Sequence, residues 1–311
     1  VAKVSYEVLD LKALRCFFAM AKHGSLTKAG IELGISEAAV SQRVKGLERE
    51  LGVKLYEARG GRVRLTAAGE RAMSLAASMF DEIEAFEHAL TKSEETGEVV
   101  LSSHDTVLGY LLPEMVEKFS RLHPLARLRL LARPVEETVQ LVKANEVDLG
   151  VIPARELPKG LAFYPIATYP AYLLTSKGHP LARQARADFK TLVNEETIMR
   201  HPLIVAEVQL EGRVLKDTFA RVRLPLNIGL EVGTVDTVKR CVARGLGVAV
   251  VSGLCVTEAD RIQLDVVEVP REYGADSVYG VVMRHDKHRA ALLRDLLGIL
   301  GVPSRSLQEA R

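Results

Sequence analysis

Residues 26–51 read LTKAGIELGISEAAVSQRVKGLEREL, and this stretch decides how the rest of the chain is interpreted. Ala29, Ile31 and Leu33 supply the apolar face of a first short helix, Gly34 closes it, and Ile35 packs under a tight turn. Ser36 then opens a second helix, with Glu37 as its first-turn acid. The apolar residues Ala39, Val40, Val44, Leu47 and Leu51 recur at intervals of three and four, which is the spacing of one buried stripe. The other face carries Glu37, Ser41, Gln42, Arg43, Lys45 and Arg49. These donors and acceptors suit phosphates and base edges, as a recognition helix in a major groove requires. Taken alone, the same pattern also fits an amphipathic hairpin with a solvated outer face.

Working outward, residues 9–23 form a further helix, with Leu11, Leu14, Phe17/Phe18 and Ala21 on one stripe and His23-Gly24 at its end. Ser25 is placed to cap the next helix. Beyond Gly52, the segment VKLYEARGGRVRLT alternates Val53/Leu55 and Val63/Leu65 around Arg59-Gly60-Gly61-Arg62, a β-hairpin with a basic tip suited to a DNA backbone or minor groove. Thr66 is an N-cap for a helix of about 28 residues, roughly 42 Å long. Met73, Ala76, Phe80, Ile83 and Leu90 form its seam, with Ala72, Met79 and Phe86 alongside. A seam of that length calls for a partner helix, and self-association is the simplest source.

The whole-chain charge of +2 averages over opposite ends of this region. Residues 1–65 hold 12 Lys/Arg against 7 Asp/Glu, a net +5, whereas residues 66–97 hold 2 against 7, a net −5. The basic charge coincides with the two-helix motif, as a phosphate-binding surface requires. At 311 residues the chain has room for more than one domain and needs no disulfide or metal staple. The three cysteines, Cys16, Cys241 and Cys255, lack zinc-type spacing and read as inert thiols, with a redox-sensing pair of Cys241 and Cys255 as the alternative. There is no signal-peptide pattern and no apolar run of membrane-spanning length, so a cytoplasmic chain without membrane contact is expected.

From Val99 the pattern changes to strands alternating with helices: VVLSS, a helix over 111–122, ARLRLL, a helix over 136–144, DLGVIP, LAFYPI, AYLLTS, LIVAE, a helix near 215–222, LNIGLEV, a helix over 235–243, GVAVVS, YGVVMR and a last helix over 287–300. Two α/β units are implied, with crossings near 168–172 and 270–276.

Four motifs occur together in the order of a known family: Ser25-Leu26-Thr27-Lys28-Ala29-Gly30, Ser36-Glu37-Ala38-Ala39-Val40-Ser41, Leu47-Glu48 with Leu51-Gly52-Val53-Lys54-Leu55-Tyr56, and Leu65-Thr66-Ala67-Ala68-Gly69. Together with the long helix and the α/β remainder, they resemble a LysR-type transcriptional regulator over essentially the whole chain. The sequence departs from the family at Glu37, where Gln is usual, and at Ala38, where Pro or Ser is usual. The family's wing arginines would fall at Ala58 and Gly61, and here Arg59 and Arg62 lie one place on.

The resemblance implies an α/β fold class with a winged helix-turn-helix over 1–66, a dimerising linker helix over 67–97, and an effector domain over 98–311 of the periplasmic-binding-protein type. The effector domain divides into subdomain I, about 98–168 and 273–311, and subdomain II, about 169–272. It also implies a homodimer through the linker helix, assembling to a homotetramer on double-stranded promoter DNA, with RNA polymerase as a further partner and no cofactor, metal or enzymatic activity. The DNA-contacting set is then Ser25, Thr27, Ser36, Glu37, Ala38, Ser41, Gln42, Arg43, Lys45, Arg59 and Arg62.

A small effector is expected at strand-to-helix junctions, where helix N-termini favour anions. The expected set is Ser103, His104, Asp105, Thr106, Arg133, Val135, Ile152, Val205, Thr234 and Val235, and the expected ligand a small carboxylate or other anion. Two rival classes are a cytoplasmic solute-binding protein without DNA binding, and an enzyme. Consecutive strand residues Ser103-His104-Asp105 point to opposite faces and cannot form a catalytic triad, and no Gly-x-Ser-x-Gly, P-loop or His-Glu-x-x-His motif occurs.

Overall fold

In the computed structural model, which describes residues 10–59, 62–91, 97–154, 157–187, 201–206, 227–271, 276–287 and 290–303, local signals account for the N-terminal helices. Asp10 accepts from the Lys12 N–H to cap α1 (Leu11–His23), Ser25 accepts from the Lys28 N–H to cap α2 (Leu26–Leu33), and Ser36 accepts from the Ala39 N–H to cap α3 (Glu37–Leu51). Each of the three ends on a glycine in the left-handed conformation, Gly24, Gly34 and Gly52. Strands β1 (Tyr56–Arg59) and β2 (Arg62–Leu65) pair antiparallel, and Ala67–Thr91 forms the long helix α4. Strand β1 starts at Tyr56 rather than Val53, because the chain is still leaving the Gly52 cap there and Val53 is exposed.

The core of this unit is Ala13, Leu14, Cys16, Phe17, Ala19 and Met20 of α1, Ala29 of α2, Val40, Val44 and Leu47 of α3, with Leu55 and Ala76. Ile31 was expected in it and is instead 77% exposed. On so short a helix Ala29 and Gly30 take the inward positions, and a Cβ on Gly30 would lie 2.7 Å from the Ile35 carbonyl oxygen, so close packing at the turn leaves no room for a larger residue. The α4 seam divides: Ala72, Met73, Ala76 and Phe80 pack on the N-terminal core, with Phe80 5.4 Å from Phe18, while Leu75, Met79 and Phe86 are exposed.

By their contacts, residues 1–94 with 286–290 form one compact unit, and residues 95–285 with 291–311 a second. The second unit has a five-stranded sheet in the order β4 (Arg127–Ala132), β3 (Glu98–Ser103), β5 (Leu149–Pro153), β12 (Ser277–Arg284), β6 (Leu161–Tyr169). Strand β3 runs parallel to β4 and β5, with β12 antiparallel to β5 and β6. Every residue of the interior strand β5 is buried, whereas the edge strand β4 is largely exposed. Helices α5 (Asp105–Tyr110) and α6 (Leu112–Leu122) connect β3 to β4, and α7 (Val135–Lys143) connects β4 to β5.

After β6 the chain breaks at Pro170 and enters a second sheet, β10 (Ala249–Ser252), β7 (Ala171–Ser176), β11 (Leu264–Glu268), antiparallel throughout. The parallel pair β8 (Leu203–Ala206) and β9 (Ile228–Val232) joins its β10 side, since Ile204 N–H donates to Val248 O and Val248 N–H donates to Pro202 O. Helices α8 (Pro180–Ala187), α9 (Val235–Ala243) and α10 (Glu258–Gln263) belong to this half, and α11 (Ala291–Ile299) packs on α6. The helix expected near 215–222 lies outside the described residues.

Candidate nucleic-acid interface and effector junctions

Four residues of α3 at intervals of four, Glu37, Ser41, Lys45 and Arg49, stand in one row, with Ala38 and Gln42 beside them. The opposite side holds the buried Val40, Val44 and Leu47, so core packing fixes which side faces outward. Ala38, Ser41, Gln42, Lys45 and Arg49 line a shallow surface groove that continues to Gly52, Val53 and Lys54. Arg43 does not join this row. Its guanidinium Nη1 lies 3.8 Å from the Cys16 Sγ of α1, because its position falls on the flank next to α1 rather than on the row. The hydroxyls of Ser25 and Ser36 are engaged as caps, and Thr27 Oγ1 donates to Glu37 Oε2 at 2.6 Å across the turn. Arg59 and Arg62 pair through their backbones at the hairpin end, and their side chains lie outside the described residues.

A residue with no place in the expected set holds the hairpin to the recognition helix. The Glu48 carboxylate, 4% exposed, accepts from the Leu55 N–H at 2.8 Å and from Lys54 Nζ at 2.9 Å. The bond from Lys54 to the Glu48 carboxylate, with the charge of that carboxylate, raises the Lys54 pKa from its ordinary value. Thr66 extends the tie: its Oγ1 donates to Lys54 O at 2.7 Å and accepts from the Gly69 N–H at 3.0 Å. Gly69 sits so close that a Cβ there would lie 1.9 Å from the Leu55 carbonyl oxygen. An acid on the inner flank of α3, next to Leu47, was the available signal.

In the second unit, the expected effector residues divide into accessible and buried groups. Ser103 is fully buried and its Oγ donates to Val151 O, tying β3 to β5. Val135, Ile152 and Val235 are core residues as well. Ser103 and Ile152 are packing groups because they lie in the interior strands β3 and β5, whereas Val135 and Val235 are the first residues of α7 and α9 and belong to the buried stripes of those helices. His104 is the N-cap residue of α5 without a side-chain cap bond, and its ring centroid lies 6.4 Å from that of Tyr279. Burial lowers the His104 pKa from its ordinary value, with the nearby Asp105 carboxylate opposing, which favours a neutral ring. Asp105 is exposed, and Thr106 and Val205 are half-buried. Arg133 Nε is 2.8 Å from Glu137 Oε1 of α7, so its charge is already partnered. Thr234 accepts from the Thr237 N–H at 3.3 Å as the cap of α9.

A cluster outside the expected set ties α5, which follows the first sheet, to α9 and α10 of the second half. Lys239, on the buried stripe of α9 with Val235, Val238 and Val242, donates from Nζ to Tyr110 Oη of α5 at 2.7 Å, to Cys255 O at 2.9 Å and to Asp260 Oδ2 of α10 at 3.0 Å. Tyr110 Oη in turn donates to Asp236. Burial opposes the lysine charge, but the bonds that Lys239 donates to Tyr110 and Asp260 outweigh it and raise its pKa. Burial likewise opposes the Asp260 charge, yet donors from Thr257 and Lys239 hold its pKa low. Cys241 and Cys255 are not joined in a disulfide, and Cys255 is buried and Cys241 half-buried.

A winged helix-turn-helix followed by a long helix and a two-sheet α/β unit defines a class of effector-responsive DNA-binding regulators. Residues 11–70 match the family described as "Bacterial regulatory helix-turn-helix protein, lysR family", and residues 92–301 match "LysR substrate binding domain". The chain belongs to the LysR family of DNA-binding transcriptional regulators, with an effector-binding domain, and the helix-turn-helix match decides against a solute-binding protein lacking a DNA-binding part. Its relatives are transcriptional regulators rather than enzymes. It is 31% identical to the transcriptional regulator CbbR of Xanthobacter flavus, over 83% of this chain and 78% of that protein. It is 29% identical to CfxR of Cupriavidus necator, over 85% of this chain and 83% of that protein. A full-length OxyR variant from Pseudomonas aeruginosa has a similar fold, with a TM-score of 0.70 at 21% identity and 94% of each chain covered. Among the described residues no helix is long and apolar enough to cross a membrane.

Proposed function

We propose that this regulator acts in the cytoplasm, binding promoter DNA as a homo-oligomer through the α3 row and the β1–β2 wing. The observation that carries this reading is the outward row of α3, where Ser41, Gln42, Lys45 and Arg49 offer hydrogen-bonding and cationic groups over a rigidly packed stripe. The unpartnered apolar residues Leu75, Met79 and Phe86 on α4 support dimerisation through that helix, which would place two reading heads on one DNA. A tetramer and contact with RNA polymerase belong to the same reading. A gel shift on the DNA flanking its gene, across a salt series, tests it: salt-sensitive retardation is expected, and absence of binding there and genome-wide would overturn it.

The effector is proposed to be a small carboxylate-bearing metabolite that meets the second unit at the strand-to-helix junctions around His104–Thr106, Arg133 and Thr234. The free N–H groups at the starts of α7 and α9 support an anion, while the Arg133–Glu137 pair and the acids Asp105 and Asp236 favour a ligand that also carries a donor. The ligand acts by binding two arrangements of the halves with different affinity, and the resulting shift alters the bend of bound DNA. Titration calorimetry against acids and amino acids tests this. Heat only from cationic or neutral compounds lacking a carboxylate would overturn the carboxylate assignment.

A further inference from the structure

Glu37 is an acid at the head of an otherwise donor-rich row, in a region of net positive charge, at the end of the helix that docks into a groove. As a plain helix-start acid it would need no partner. In the structure, however, Thr27 Oγ1 reaches across from α2 and donates to its Oε2 at 2.6 Å, while Oε1 has no partner among the described residues. Both Thr27 and Glu37 are exposed, so the bond is not there to satisfy buried groups. Its effect is to restrict a flexible carboxylate to one direction and leave a single oxygen free.

An ionised carboxylate only accepts hydrogen bonds. In the major groove, guanine presents acceptors at N7 and O6 and thymine presents O4, all of which repel it. Adenine presents its N6 donor beside the N7 acceptor, whereas cytosine presents the N4 donor. Resting on the DNA-binding reading above, we infer that Glu37 reads a cytosine in each half-site through the N4 amino group, and that Thr27 is the positioning residue that aims it. The acid also acts against the other bases, since guanine and thymine set only acceptors against its free oxygen and adenine sets N7 beside its donor.

Selection from a randomised duplex library with the full chain tests the inference, using wild type, Glu37→Gln and Thr27→Val, each checked for unchanged far-ultraviolet circular dichroism. Wild type is expected to prefer C over every other base by about fivefold or more in one column of the half-site. Glu37→Gln, which can both donate and accept, is expected to move that column to A and leave the others unaltered. Thr27→Val is expected to keep C but weaken the preference at least about twofold. A wild-type motif with every column unchanged in Glu37→Gln overturns the inference and leaves DNA binding standing. So does an even loss of affinity across all columns. An unweakened C column in Thr27→Val overturns the positioning role, and a wild-type protein that enriches no sequence overturns both readings.

Discussion

Replacing Lys239 by Met keeps the aliphatic stem in the α9 stripe and removes only the charge that ties α9 to α5 and α10 in the second unit. The ammonium is lost from three hydrogen bonds of 2.7–3.0 Å, to Tyr110, Cys255 O and Asp260, and its side chain is 9% exposed, so water does not compensate it freely. Removing one partner of a buried pair costs about 3–5 kcal/mol. The lower part of the range, or somewhat less, applies here, because Asp260 keeps its donors from the Thr257 N–H at 2.8 Å and Thr257 Oγ1 at 2.7 Å. A loss of about 2–3 kcal/mol is therefore expected, or about 4–12 °C in Tm for a domain of this size.

Urea and thermal unfolding of the full chain, followed by circular dichroism, measure the loss. A cycle with Asp260→Asn should return a coupling of about 1–3 kcal/mol. The pH dependence has a definite sign. Asp260 has a lowered pKa when folded, so its contribution is present above the ordinary carboxyl value near 4 and disappears as pH falls through the folded value. Lys239 has a raised pKa, so its contribution is present below about 10.4 and disappears as pH rises through the folded value. The difference between wild type and Lys239→Met should be flat between about pH 5 and 10 and shrink at both ends. A stability change under about 0.5 kcal/mol, with additive behaviour in the cycle, would refute the argument that this cluster holds the three helices together.

Glu48→Ala should destabilise the N-terminal unit by about 1–3 kcal/mol in denaturant titrations, because the buried Leu55 N–H loses its acceptor, and Glu48→Gln should recover part of the loss. Gly69→Ala should cost about 1–3 kcal/mol or more in the same assay, since its Cβ would meet the Leu55 carbonyl oxygen and backbone has to move. In gel shifts across a salt series, Lys45→Ala should lower the slope of log K against log salt by about 0.9 per bound head, whereas Arg43→Ala, whose guanidinium turns toward Cys16, should leave the slope nearly unchanged.

Much of this molecule was legible before folding was considered. Hydroxyl caps at Ser25 and Ser36, glycine stops at Gly24 and Gly34, and apolar spacing place three helices because each signal acts within one or two turns of its own backbone, while the Asp10 cap that starts α1 at Leu11 is seen only in the structure. The alternation of strands and helices after Val99 likewise follows from hydrophobic period alone. Site residues were less legible, because a residue type at a junction does not reveal whether a neighbouring strand covers it. Ser103 looks like a cleft hydroxyl in sequence and is instead bonded to Val151 O.

The sequence by itself determined the order of elements, the basic N-terminal third and the outward row of α3, all of which depend on local periodicity and on charge that needs no partner. Tertiary structure decided the rest: that Arg43 turns to α1, that Arg133 is taken by Glu137, that Glu48 ties the wing, and that Lys239 joins α9 to Tyr110 and Asp260. Each of these is a contact between side chains on separate elements or turns. Their energies depend on distance and burial, which exist only once the elements have packed.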